Sequence, residues 1–367
     1  MAKTEDVNLF VRDMGVVCPT GDNFPVLDAA LKSGLSCYQD SVYADKHFEP
    51  IKVAPVPDEA LETNGVLAIQ KGVNAWLARL LRLSALALKS MKTLDQVADG
   101  SLPLILCTSD WHFAPHSGSI DFFVNAINEL TKNKIDKRNN LVFSAGRDGI
   151  LQALVKAKKF LEQMPTAQIL VGAVDSYRRA EWLATLDDDQ RLLNGSNMSG
   201  FAPAEAAVFL IVSNHEEASA ESEMSVNIRR ISLGQENLDK SRGSPENKSV
   251  LAALARDCLD VKGGTKLKDL YSTVNGEARW NGSLGLLLSR SQRFFKEGME
   301  PTYPAESIGD SGSASGAVCL GLAVHRLQNT MSPGVSAIAC SSDNFHHGVA
   351  VLESSLRADE RVGGSDD

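Results

Sequence analysis

Leu141-Val-Phe-Ser-Ala-Gly-Arg-Asp-Gly-Ile-Leu-Gln-Ala-Leu-Val-Lys-Ala157 reads as a buried strand, a tight glycine-bearing turn and an amphipathic helix. A strand-to-helix elbow of this kind holds a side chain where helix amides and the helix dipole stabilise an anion, and a cysteine placed there becomes a thiolate. Here the elbow carries Gly146, Arg147 and Asp148, with neither Cys nor Ser at its apex. The stretch has the outline of an acyl-transfer elbow without a nucleophile.

The bulk properties narrow the classes. A chain of 367 residues, 43% hydrophobic and 23% charged, has enough apolar material for one large or two medium globular domains. Its net charge of -9, from 46 acidic and 37 basic side chains, gives no electrostatic case for nucleic acid. The opening Met-Ala-Lys-Thr-Glu-Asp lacks the features of a signal peptide, and no apolar run approaches the roughly 18 residues of a membrane span. These features predict a soluble, cytoplasmic protein. Cysteines at 18, 37, 107, 258, 319 and 340 contain no C-x-x-C pair and read as reduced thiols. Cys107, His112 and His116 form the one cluster with a metal-like composition. Pro115 breaks any helix that would align the histidines, so no metal and no cofactor is expected.

Apolar strands and amphipathic helices alternate along the chain. Strands are expected at 7–17, 104–107, 169–174, 206–212, 269–274, 335–339 and 349–352. Helices are expected at 24–32, 73–94, 121–132, 248–259, 284–294 and 313–327. The alternation implies an α/β protein with buried strands. Polar stretches at 216–223 and 237–247 mark a boundary, which divides the chain into halves 1–236 and 237–357 with a frayed tail, 358–367. The second half repeats the strand–turn–helix theme of the first.

The order of these elements resembles the thiolase superfamily, most of all its β-ketoacyl-[acyl-carrier-protein] synthase branch. Asp13-Met-Gly-Val-Val-Cys-Pro-Thr-Gly21 and Ala30-Leu-Lys-Ser-Gly34 resemble the opening strand, turn and helix end of that family. Ile169-Leu-Val-Gly-Ala-Val-Asp175 resembles the strand after the nucleophile helix. Gly200-Phe-Ala-Pro-Ala-Glu-Ala-Ala207, following Arg191-Leu-Leu, resembles the family's "G F … G E G A" stretch. Ser272-Thr-Val-Asn-Gly-Glu277 and Ser307-Ile-Gly-Asp-Ser-Gly-Ser-Ala-Ser-Gly316 resemble the two loops that carry catalytic histidines. The resemblance implies a thiolase-like five-layered αβαβα fold of two related halves.

Family members load an acyl group onto cysteine and use two further polar residues to drive condensation. By resemblance the cysteine falls on Arg147, or on Gly146 with a one-residue shift. The first histidine falls on Asn275 and the second on Asp310, while the lysine ahead of that loop falls near Ala305. A guanidinium is no nucleophile, and an ionised Asp310 would repel charge where donors are needed. Arg147 and Asp310 invite pairing across the relic pocket; the alternative is that each faces solvent or other partners. The loop Cys340-Ser-Ser-Asp-Asn-Phe-His-His-Gly348 resembles the family's pocket-lining loop, with Phe345 in place of an aromatic gate. Substrate-contact candidates are Phe201, Phe345, Cys340 and His346. Cys340 with His346 or His347 offers an alternative Cys–His pair, against a plain reading of buried thiol and surface histidines. The basic run Lys132-Asn-Lys-Ile-Asp-Lys-Arg138 either docks an acidic carrier protein or is a solvated loop.

The resulting expectation is a catalytically degenerate synthase homologue acting as a binding or accessory subunit. By resemblance it pairs through the strand at 140–143, as a homodimer or with a synthase-like subunit, and acyl-carrier protein or acyl-CoA is a candidate ligand. The alternative is a working acyltransferase with a rearranged site.

Overall fold

The computed structural model describes residues 3–62, 75–109, 118–164, 168–216, 222–237, 249–260 and 265–357. His112, His116 and the tail 358–367 lie outside these residues.

Among the described residues nine strands form the main sheet: β1 (Lys3–Val17), β4 (Leu102–Thr108), β5 (Ile135–Ser144), β6 (Ile169–Ser176), β7 (Glu205–Ser213), β8 (Met224–Gln235), β9 (Asp269–Ser272), β10 (Val335–Ser341) and β11 (His346–Leu356). A hairpin of β2 (Gln39–Ala44) and β3 (Pro50–Val53) stands apart. The main order, β5-β4-β6-β7-β1-β8-β11-β10-β9, contains one pattern twice. β4 is parallel to β6, β6 antiparallel to β7, and β7 antiparallel to β1. β9, β10, β11 and β8 repeat that sequence of senses. The first set adds β5, parallel to β4 at the free edge. By strand pairing the second set opens with β8 at Met224. The sets are joined because the start of β1 pairs with β8 and its end with β7, the change of partner falling near Asn8 at φ 47°.

Helices separate the layers. α3 (Ala75–Lys89) and α4 (Gly118–Leu130) cover the outer face of the first set, burying Leu80, Leu83 and Phe123 against Leu104, Leu106 and Phe209. α7 (Val250–Leu259) and α8 (Ala278–Ser291) cover the second, with Leu254 and Leu287 against Ala337 and Val351. Between the sets lie α5 (Gly149–Gln163) and α10 (Ser315–Gln328). Their Leu151, Leu154, Leu320 and Val324 share one core with Ile105, Val171, Ile338 and Ala350. Alternate residues of a strand face opposite sides, so both faces of each set must be apolar, and their Val/Ile/Leu runs supply that. Each fully buried aliphatic side chain contributes roughly 1.5–3 kcal/mol. The result is the αβαβα stack of two related halves. The remaining helices are α1 (Phe24–Ser33), α2 (Asp58–Glu62), α6 (Ala180–Asp188) and α9 (Ala305–Ile308). Asn23 caps α1 by accepting from the Val26 amide at 2.9 Å, and Gly34 ends it in the left-handed region.

Some expectations change, the helix expected at 73–94 ending at Lys89 among them. The elbow strand is not buried: among the described residues β5 is an edge strand with no neighbour on one side, and Leu141 is 39% exposed. The helix expected at 284–294 begins at Ala278, because Asn281 and Gly282 do not break it, and its last turn tightens into a 3-10 segment at Gln292–Phe294. β8 was not expected: Arg229 and Arg230 interrupt its alternation, and a bulge there shifts the register against β11.

Candidate functional site

The elbow, the turn after β9, and the loop ahead of α10 bring Arg147, Asn275 and Asp310 to one place. Nε of Arg147 donates to Oδ2 of Asp310 at 2.8 Å and Nη2 to the same oxygen at 2.5 Å. Nδ2 of Asn275 donates to it as well, at 2.7 Å. The other oxygen of Asp310 accepts from the Gly312 amide at 2.9 Å and the Ser315 hydroxyl at 3.0 Å. Arg147 and Asp310 are 2% and 1% exposed. Burial pulls a guanidinium towards its neutral form, but Asp310 and Asp343 outweigh that and hold Arg147 well above its usual range. A cation ahead of a helix N-terminus is unfavourable by about 0.3–1 kcal/mol, and Asp310 answers it. Asp148 caps no amide of α5 with its side chain; it takes the Ser342 hydroxyl at 2.5 Å and the Gln152 amide at 2.7 Å. Close packing holds the elbow against α10, since a Cβ on Gly316 would overlap the carbonyl oxygen of Arg147.

Further charged side chains surround this pair. Arg191 grips Glu277 through Nε and Nη2, both at 2.8 Å. Trp280 Nε1 and Asn275 Nδ2 each donate to Glu277 at 3.1 Å. Burial opposes the ionisation of Glu277, yet its bonds with Arg191 and the charge of Arg279 bring it down to about 2. Asp343 receives Arg147 at 3.5 Å, Arg191 at 3.0 Å, and Arg279 at short range. Against the effect of burial, these three cations hold its carboxyl well below the usual range. Arg191 belongs to a motif visible in the sequence, whereas the only sequence signal for Arg279 and Asp343 is a charge in a segment expected to line a buried pocket.

The remaining candidates do not join this group as reactive residues. Cys340 is fully buried on the face of β10 that packs on the central layer, and burial pushes its thiol well up. Among the described residues no hydrogen bond links it to His346 or His347. His347 is the buried histidine; its Nδ1 meets the Ser341 hydroxyl at 2.9 Å and its Nε2 the Glu236 carboxylate at 2.9 Å. In the β10–β11 register Ser341 faces His347 and Cys340 faces Gly348, so Cys340 and His347 lie on opposite faces. His346 is part-exposed, with its amide donating to Asn344 at 3.4 Å. Phe201 is core, its ring 5.5 Å from that of Tyr177 and 5.2 Å beneath Arg191. Phe345 adopts a left-handed φ of 67°, and its carbonyl accepts from the Glu236 amide at 2.8 Å. Gly146 packs on Ser342. In the basic run, Lys132 pairs with Asp95 and Lys134 with Asp99, each at 2.8 Å. Among the described residues there is no cluster suited to a metal ion and no helix long and apolar enough to cross a membrane.

No known family profile and no curated protein sequence matches the chain. Solved structures do. The oxazolomycin ketosynthase domain of Streptomyces albus JA3453 gives a TM-score of 0.71 at 12% identity, over 99% of this chain and 77% of that one. The chain has the thiolase-like ketosynthase fold. The ishigamide ketosynthase/chain length factor gives 0.63 at 17% identity, covering 94% of this chain and 99% of the other. A type II polyketide synthase ketosynthase, bound to its acyl-carrier protein, gives 0.67 at 15% identity, covering 95% and 99%. At such identities the likeness concerns the ketosynthase fold alone, and the chemistry has to be argued from the side chains.

Proposed function

We propose that this chain is a catalytically silent ketosynthase-like subunit that acts by binding. One observation carries the reading. At the three positions where the family resemblance puts cysteine and two histidines, Arg147 and Asn275 both donate to Asp310, and all three are buried. A condensing site needs a nucleophile that can be acylated and donors left free for a developing oxyanion. Here Nε and Nη2 of Arg147 and Nδ2 of Asn275 all point at a resident carboxylate, that of Asp310. The alternative, an acyltransferase reorganised around Cys340, is opposed by the burial of that thiol and by its separation from His347.

The expected partner is a second ketosynthase-like subunit, identical or not. Among the described residues β5 is a free edge of the main sheet, with Leu141 exposed and Val142 and Phe143 half-buried, and an unpaired edge is a surface on which another strand adds. Two structural neighbours suit such a role by what they are: a ketosynthase/chain length factor, and a ketosynthase in complex with an acyl-carrier protein. The basic run is a weak docking site for the latter, because Lys132 and Lys134 already have acidic partners.

The test is intact-mass spectrometry after incubation with acyl-CoA and acyl-carrier protein, alongside size-exclusion chromatography with light scattering. An unmodified mass with dimeric or mixed assembly is expected. An acyl adduct on Cys340 or any other residue would overturn the proposal.

A further inference from the structure

The three guanidiniums of the site are held flat by aromatic rings. Arg279 lies 4.2 Å over the Trp280 ring, Arg147 lies 5.7 Å from the same ring, and Arg191 lies 5.2 Å over Phe201. A ring beneath a guanidinium fixes its plane and leaves the N–H edge to donate. All three edges reach one carboxylate, that of Asp343. Asp343 does not exhaust the donors: among the described residues Nε of Arg279 is buried and has no acceptor. A carboxylate set square to that guanidinium would take Nε and Nη2 together, the favoured bidentate geometry.

Asp343 is also the least anchored acid of the group. Its side chain is 34% exposed, against 1% for Asp310 and 10% for Glu277. It stands on the short connection between β10 and β11, where Phe345 holds a left-handed backbone. Arg147, Arg191 and Arg279 pair with Asp310, Glu277 and Asp343. Withdrawing Asp343 therefore removes one of the three acids that these guanidiniums answer. A monoanionic carboxylate replaces its charge, whereas a phosphate dianion overshoots it.

We infer that Arg147, Arg191 and Arg279 form a binding site for a small carboxylate ligand, and that Asp343 occupies it as an internal stand-in until the ligand displaces it. The inference rests on the reading that the pocket binds rather than condenses. Its test needs no acyl transfer, so the two can fail separately. An acyl adduct would remove the reading, and absent carboxylate binding would remove the site.

The experiment is a titration of Asp343→Ala with acetate, read by melting temperature and calorimetry, with chloride at matched ionic strength as control. Acetate is expected to bind saturably and raise the melting temperature. Wild type should bind it at least about tenfold more weakly, because its competent state must first expel Asp343. Asp343→Ala/Arg279→Gln should lose the acetate response. If Asp343→Ala folds only with acetate present, that supports the site; Asp343→Ser, which keeps a small polar side chain on the loop, carries the same titration should neither condition fold it. An acetate effect no larger than that of chloride, equal affinity in wild type and variant, or a response that survives Arg279→Gln would overturn the inference.

Discussion

The loop carrying Asp310 and the loop carrying Asp343 both present a carboxylate to Arg147, but they are built differently. Asp310 is tied in at backbone level: its amide donates to the Ala202 carbonyl and its carbonyl accepts from the Ala204 amide, both at 2.8 Å. Its side chain then takes the Gly312 amide, the Ser315 hydroxyl, Asn275 and Arg147. Among the described residues the Asp343 side chain meets only guanidiniums, each of which has another acid to hold. A charge satisfied from the backbone is part of the fold. One satisfied only by side chains with other acceptors can leave, and the two loops should respond unequally to the same perturbation.

The largest expected effect is at Asp310. Asp310→Ala leaves Arg147 buried, with Asp343 at 3.5 Å as its remaining anion. Breaking a buried pair from one side costs about 3–5 kcal/mol, whereas replacing both partners by apolar groups is often close to neutral. Urea unfolding should show that loss for Asp310→Ala and recover most of it in Arg147→Met/Asp310→Leu. A loss at Asp310 no greater than at Asp343 would break the comparison.

Acid sharpens it next. Glu277 falls from an ordinary 4.5 to about 2 in the folded protein, and Asp343 is lowered too. A depressed folded value means stabilisation that is complete above the unfolded value and is lost as pH falls through the folded one. The window therefore runs from just above pH 4.5 down to about 2. For Glu277 the loss is on the order of 3 kcal/mol. Unfolding free energies measured down through that window should fall, and Glu277→Gln should flatten the slope.

Gly309 tests the rigidity of the first loop. Its φ is +73°, and an added Cβ would lie 2.7 Å from the Ala202 carbonyl oxygen. A side chain in the left-handed region against fixed backbone costs about 1–3 kcal/mol. Gly309→Ala should lower the urea midpoint without changing the slope; an unchanged midpoint would show that this loop gives way.

Much of this architecture was legible in the chain. The runs Ile169–Val174 and Ala206–Val212 are apolar at every position because both faces of their strands are covered, as in a layered α/β stack. The glycines of the elbow and of the 307–316 loop marked where helices meet strands closely. β8 was hidden because two arginines at a bulge break its period. The exposure of β5 was hidden because an edge strand of a sheet and an inner one share the same apolar residues. In the site, the positions of Arg147, Asn275 and Asp310 followed from motif order. The roles of Arg279 and Asp343 did not, since which charged side chains turn inward is decided by packing against Trp280 and Phe201, residues distant in sequence from Asp343.

The smallest effect is expected at Asp343. Asp343→Asn keeps the shape of the side chain while removing its charge, and the group it leaves behind is not stranded. Arg147 keeps Asp310, Arg191 keeps Glu277, and Arg279 keeps Glu277 at 3.3 Å. Part-exposed ion pairs are worth up to about 1 kcal/mol, because water replaces much of what the partner supplied. Urea unfolding of Asp343→Asn should therefore show a loss several times smaller than that of Asp310→Ala. Raising the salt concentration should narrow the Asp343 difference and leave the Asp310 difference nearly intact, since screening reaches a rim charge and not a buried one. A salt-insensitive loss at Asp343 as large as that at Asp310 would mean the two loops are anchored alike.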